Sequence, residues 1–311
     1  MRLGGWRSVR DWAKALAGAA LLLLVPERVL ADAPAPAPAS AAAATPRPAI
    51  WLLEDEDTKI YLFGTTHIFP RGLSWRSPQL EAAIREADEL VTEIPADEKV
   101  DEERLASGMF MGKSVPILSR VSPAHRERLE QLIEASGLPA DAWDMMHSWA
   151  AGMLLYEMFM ARAGDEAELS GAEIELRDEF RRAGKAMSAV ETGEFQLGIF
   201  RSLSLPAQRA FLESTIDDLT APPAPDATAD DGTREWTSGN VEALAREMEA
   251  LQPELYEALL TRRNRNWTEW LERRLERPGT VLFAVGAGHL AGRDSVQAML
   301  AARGLEARRI D

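Results

Sequence analysis

Cysteine is absent from the 311-residue chain. That excludes disulfides, a thiol nucleophile and lipid attachment through a cysteine. Basic residues are scarce beside acidic ones, 35 against 50, for a formal net charge of −15. Such a chain is repelled by nucleic acid and by anionic lipid surfaces, so neither is expected as a partner. Long apolar runs are missing too: Ala15–Val25 is too short to span a bilayer comfortably. No G-x-S-x-G, phosphate loop or H-E-x-x-H occurs, and the glycines of GAGHLAG are wrongly spaced for a dinucleotide fingerprint. Histidine is rare, with four in all: His67, His125, His147 and His289.

What is present begins with a leader. Arg2, Arg7, Arg10 and Lys14 precede the apolar run, and ERVLADA supplies small residues for a cut after Ala31. Residues 1–31 therefore read as a secretory signal peptide, with a periplasmic or secreted protein and no stable membrane anchor after cleavage. Without the leader's five basic and two acidic residues, 30 basic face 48 acidic, a net of −18. Residues 32–48, rich in Pro and Ala, read as an extended linker.

The folded part is expected over 49–311. AIWLLEDEDTKIYLFG reads as two short strands joined by an acidic turn at Glu54–Asp57. Ser77-Pro78 opens a helix with Leu80, Ile84 and Ala87 on one face, and Leu90–Ile94 follows as a strand. Strand, GTTH turn, helix and strand make a βαβ unit, which predicts parallel neighbours and a right-handed crossover. A helical insertion is expected from about 101 to 275. Within it, SPAHRERLEQLIEAS is one helix, AWDMMHSWAAGMLLYEMFMARAG a buried one, and Ala186–Val190 a short strand leading to Glu191. Residues 221–235 read as a breaker-rich loop, and Pro253–Glu276 as a long helix. GTVLFAVGAGH, a helix near 293–303 and a last strand in LEARRI close the chain. The fold class expected is α/β: a central mixed, largely parallel sheet with flanking helices.

Two stretches echo each other. IYLFGTTH and LFAVGAGH are both apolar strands ending in Gly-x-x-His. Ligands of open α/β sheets bind beyond the carboxyl ends of the strands. If the two strands are neighbours, His67 and His289 face one pocket although 222 positions apart in sequence. Imidazole suits Zn²⁺, Mn²⁺, Co²⁺ and Fe²⁺, and Glu93, at the end of ELVTEI, is the third candidate ligand. The competing reading makes His67 a turn or cap residue. His125 reads as exposed on a polar helix and His147 as a core histidine. Asn264 falls on the stripe Leu260, Trp267, Leu271, Leu275, as structural bracket or site residue, with Arg263 at the stripe's edge. Glu191 is either a pocket carboxylate or part of a capping ETGE turn.

YLFGTTHIFP, ADELVTEI, AVETGEFQLGIFRSL, WTSGN, LLTRRNRNW and AVGAGHLAGRDSVQAMLAARGLEARRI, in this order, resemble the TraB/GumN family, which includes the Tiki proteins. The resemblance covers about Ile50 to Ile310. It implies a fold similar to erythromycin esterase-like and ChaN-like proteins. Its marks, two Gly-x-x-His motifs, an early glutamate and a late Arg-Asn pair, fall on His67, His289, Glu93, Arg263 and Asn264, and Glu191 is carried over with them. Tiki members act as Mn²⁺- or Co²⁺-dependent proteases; bacterial members have been linked to pheromone shutdown or polysaccharide gene clusters. The resemblance thus implies a metal-dependent hydrolase, with Mn or Co favoured over Zn and a peptide or other small substrate. In that expectation His67, His289 and Glu93 hold the metal, Glu93 alternatively serves as base, Arg263 steadies an oxyanion and Asn264 orients it. The alternatives are a non-enzymatic binder of haem, metal or peptide in the cell envelope, and a scaffold for envelope assembly.

Overall fold

The computed structural model describes residues 46–67, 69–70, 72–95, 108–166, 169–221 and 231–311. The proposed leader and most of the proposed linker lie outside the described residues. The folded part starts a few residues earlier than expected: Pro48 and Ala49 are buried, and the Arg47 amide donates to the Thr237 carbonyl at 2.7 Å.

The chain divides into two compact units. The first contains the sheet. Its described strands are β1 (Ile50–Glu54), β2 (Thr58–Thr65), β3 (Phe69–Pro70), β4 (Glu89–Thr92), β5 (Leu169–Ser170), β6 (Ala186–Ala189), β7 (Gly279–Gly286) and β8 (Arg308–Arg309). Six of them form one sheet in the order β6-β4-β7-β2-β1-β8. From β6 to β2 every pairing is parallel; β1 and β8 add antiparallel partners at one edge. The expected α/β class with a mixed, largely parallel sheet is what the chain adopts. β3 and β5 form a separate two-residue pairing, with Phe69 opposite Ser170.

The central strands β2 and β7 are buried on both faces along most of their length, which is why they read as nearly unbroken apolar runs. Side chains still alternate. Tyr61, Phe63, Leu282 and Ala284 join one core with the helices α1 (Pro78–Glu86) and α2 (Ala172–Ala183). Ile60, Leu62, Val281 and Phe283 join the other with the helix α3 (Arg262–Leu275). Ser77 caps α1 by accepting from the Leu80 amide, and Pro78 holds the first helical position.

Two expectations are corrected here. β2 and β4 are parallel, but β7 lies between them, so the βαβ unit does not join neighbours. Local periodicity reports each strand and carries no term for a late strand inserted between two early ones. The helical unit also departs from the expected 101–275. Its described residues are 108–166 and 193–221, whereas 169–192 and 231–275 belong to the sheet unit. The segments 169–192 and 262–275 carry apolar faces that pack on the sheet.

Within the helical unit, Pro123–Ser136 is a helix ending at Gly137 in the left-handed conformation. The expected long apolar helix is two, Ala140–Met145 and Ser148–Glu166, with His147 in the break. His147 stacks on Trp149, and burial lowers its pKa. His125 is half-buried, not exposed: its Nδ1 lies 2.6 Å from the Ser122 hydroxyl and its Nε2 3.3 Å from Asp217. Of the expected loop 221–235, residues 222–230 lie outside the described residues, and the rest enters the helix Asp231–Thr237 of the sheet unit. Among the described residues no helix is long and apolar enough to cross a membrane.

Candidate functional site

The two Gly-x-x-His stretches are neighbours. β2 and β7 pair in parallel, with Gly64 opposite Val285 and Thr65 opposite Gly286, so both chains leave the sheet at the same end. Glycine is needed for this closeness: a methyl on Gly64 would meet the Ala287 backbone at 3.0 Å. On the other side of β7, β4 delivers Glu93, and beyond it β6 delivers Glu191, whose amide donates to the Glu93 carbonyl at 2.8 Å. Four consecutive parallel strands thus bring His67, His289, Glu93 and Glu191 to one carboxyl-terminal edge.

Helix α3 adds the cation. It continues from Pro253–Tyr256 through a π-helical turn, Glu257–Thr261, and such turns recur at functional sites. Arg263 is not at the edge of the stripe; it is wholly buried. Its Nε donates to Glu191 at 3.0 Å, and its Nη2 donates to Glu191 at 2.8 Å and to Glu93 at 2.5 Å. Its Nη1 donates to the Leu259 carbonyl at 3.2 Å and to His289 Nε2 at 3.0 Å. These partners account for all five guanidinium N–H groups. Trp267 donates its indole N–H to Glu191 at 2.9 Å, which adds Glu191 to the buried cluster.

The hydrogen bonds define the state of His289. Arg263 can only donate, so Nε2 must accept, and Nδ1 carries the proton that goes to Asn264 Oδ1 at 2.6 Å. Asn264 in turn donates to the carbonyls of Asp294, at 2.7 Å, and His289, at 3.3 Å. His289 is therefore a neutral imidazole. Burial, then the Arg263 charge, pushes its pKa down to about 3. Glu93 is the opposite case. Burial is the largest influence and opposes its charge, but the Arg263 guanidinium, the two neighbouring histidines and the Gly286 amide at 2.8 Å together hold the carboxyl well below its ordinary range.

His67 is the most accessible imidazole of this edge, its side chain 18% exposed against 1% for His289. It lies close enough to Glu93 and His289 to influence the charge state of both. One residue of this site was missed in the sequence: Glu173, in the first turn of α2. It is buried, takes the Thr65 hydroxyl at 2.5 Å and lies 3.0 Å from His67 Nδ1. Its burial opposes ionisation, but the His67 charge and the hydrogen bonds from His67 and Thr65 lower its pKa. The signal was weak, since an acidic residue in a first helical turn is ordinary complementarity to the helix dipole.

Whether these residues suit a divalent metal has a divided answer. Glu93, Glu173 and Glu191 set three carboxylates against one guanidinium, a charge balance that suits a cation. Against that, Glu93 Oε2 and His289 Nε2 both face the Arg263 guanidinium, and Glu93 Oε1 is 3.9 Å from His289 Nε2. Among the described residues no group of three or more His, Asp or Glu side chains is placed to hold a metal ion. The donors of Arg263 and Asn264 are engaged within the cluster. Both brace the cluster.

A family model described as the TraB/PrgY/gumN family matches residues 49–309. No curated protein and no solved structure matches the chain.

Proposed function

The chain belongs to the TraB/PrgY/gumN family, and from that premise we propose that it is a hydrolase, acting on a peptide or another small carbonyl substrate. The observation that carries this reading is His67: a partly exposed imidazole at the carboxyl ends of the parallel strands, beside a buried charged cluster. His67 takes a proton from water, the hydroxide adds to the substrate carbonyl, and the C–N bond breaks as the leaving amine receives that proton. The Glu93–Arg263–Glu191 network and the Asn264–His289 bracket hold the floor of the site rigid and have no part in proton transfer. Mn²⁺ or Co²⁺ belongs to the reading as the family resemblance implies it, and the step above is written without either. An exported location likewise belongs to the proposal and rests on the leader alone.

A second reading has its own support. With the donors of Arg263 and Asn264 engaged, neither is free to stabilise an oxyanion, and a pocket of this kind suits a non-enzymatic binder of peptide. A peptide library incubated with the purified protein, with and without added Mn²⁺ or Co²⁺, separates the two. Cleavage that is lost in His67→Ala supports the hydrolase; retention of peptides without any cleavage under every condition favours the binder.

A further inference from the structure

We infer that Glu173 is the positioning residue that fixes the tautomer of His67 and makes Nε2 its working nitrogen. The inference deepens the hydrolase reading and rests on it for the purpose of that nitrogen. Its evidence is separate.

The segment carrying Glu173 is tied to the segment carrying His67 along its length. β3 and β5 pair Phe69 with Ser170 and Pro70 with Leu169. The Ala172 amide donates to the Thr66 carbonyl at 3.0 Å. Gly171 passes so close to the His67 carbonyl that a methyl there would stand 2.3 Å from its oxygen, so the approach requires glycine. Glu173 then enters at the start of α2, where the amino-terminal end of the helix favours a negative side chain.

The chemistry follows from which atoms can donate. The Glu173 carboxyl has the Thr65 hydroxyl on one oxygen at 2.5 Å and His67 Nδ1 on the other at 3.0 Å, and a carboxylate so placed is an acceptor only. Its Oε1 takes the Thr65 hydroxyl, which fixes the plane of the carboxylate, and its Oε2 faces His67 Nδ1. Neutral His67 must therefore carry its proton on Nδ1, with the lone pair on Nε2 turned away from Glu173. The hydrogen bond made by one ring nitrogen sets the state of the other. A base oriented by a third group recurs in nucleophile- and water-activating sites on unrelated folds. Glu173 acts through His67 and touches no substrate.

Nitrogen-15 NMR of histidine-labelled protein tests this directly, because the chain has only four histidines and single substitutions assign them. The wild type is expected to show neutral His67 as one tautomer, with protonated Nδ1 and unprotonated Nε2. In Glu173→Ala the proton is expected to redistribute, with a large loss of the Nδ1–H form. Should that variant fail to fold, Glu173→Leu serves, since it fills the space and offers Nδ1 no acceptor. Thr65→Val, which removes only the hydroxyl on the far oxygen, is expected to keep the wild-type tautomer. A wild-type His67 protonated on Nε2, or an Nδ1–H tautomer that persists in whichever of the Ala and Leu variants folds, overturns the inference. The tautomer is read without substrate, so this result is distinguishable from failure of the hydrolase reading, which shows as absent cleavage.

Discussion

Replacing Arg263 with methionine removes the positive charge from the centre of the buried cluster and leaves the rest in place. Two carboxylates then lose their counter-ion together: Glu191, which receives Nε and Nη2, and Glu93, which receives Nη2. Removing one partner of a buried ion pair costs about 3–5 kcal/mol, because the remaining charge stays desolvated. At roughly 2–4 °C per kcal/mol for a domain of about 150–250 residues, Tm is expected to fall by roughly 6–20 °C. Scanning calorimetry or circular dichroism at pH 7 measures this. The pH dependence gives a second check with a definite sign. In the wild type the Glu93 pKa lies below its ordinary value, so its stabilisation is complete above that value and is lost as pH falls through the folded one. In Arg263→Met, burial without the guanidinium raises the Glu93 pKa, so the folded state gains protons first and recovers stability as pH falls. The gap between the two proteins should therefore narrow from pH 7 to pH 4. Adding Glu93→Gln and Glu191→Gln to Arg263→Met should restore part of the loss, since neutral groups tolerate burial. A loss at pH 7 under about 1 kcal/mol, or a gap that does not change with pH, would refute the reasoning.

Two other expectations follow from the same edge of the sheet. Asn264→Ala leaves the Nδ1–H of His289 and the carbonyls of His289 and Asp294 without their side-chain partner. Urea unfolding should register a loss of about 1–3 kcal/mol, and an unchanged midpoint would mean that the bracket is not formed in solution. The His289 pKa, pushed down to about 3, keeps its imidazole neutral throughout the physiological range, so its NMR signals should not titrate between pH 5 and pH 8. Because the unfolded state binds a proton at this histidine when the folded state does not, His289 should make stability rise with pH between about 3 and 6.5. A His289 resonance that titrates near pH 6 would contradict both statements.

The fold was legible where a residue's role is set by its near neighbours. The acidic turn between β1 and β2, the Ser77-Pro78 helix start and the strand ending in GAGH are local chemistry and stand where expected. The pairing of the two Gly-x-x-His stretches was legible because the repeat is itself a long-range signal: two strand exits with the same glycine requirement and the same imidazole. Strand order was not, because nothing in β2, α1 or β4 announces that β7 will enter between β2 and β4. Arg263 was misplaced at the edge of its stripe. An apolar stripe gives no reason to bury a cation in it, and the carboxylates that pair with Arg263 come from distant strands. Glu173 was hidden among the acidic residues that open α2. Only its contact with a turn 106 positions earlier distinguishes it. The site residues read from the sequence do come together, with the Arg263 guanidinium between Glu93, Glu191 and His289.

The central claim is that His67 is the working group of a hydrolase. Its most direct measurement is the cleavage of a peptide library, read by mass spectrometry, for the wild type and for His67→Ala at matched Mn²⁺ or Co²⁺ and without metal. Both proteins are first shown to be equally folded. The account predicts defined cleavage products from the wild type and none above background from His67→Ala. Equal cleavage by the two proteins, or none by the wild type under any of these conditions, would contradict it.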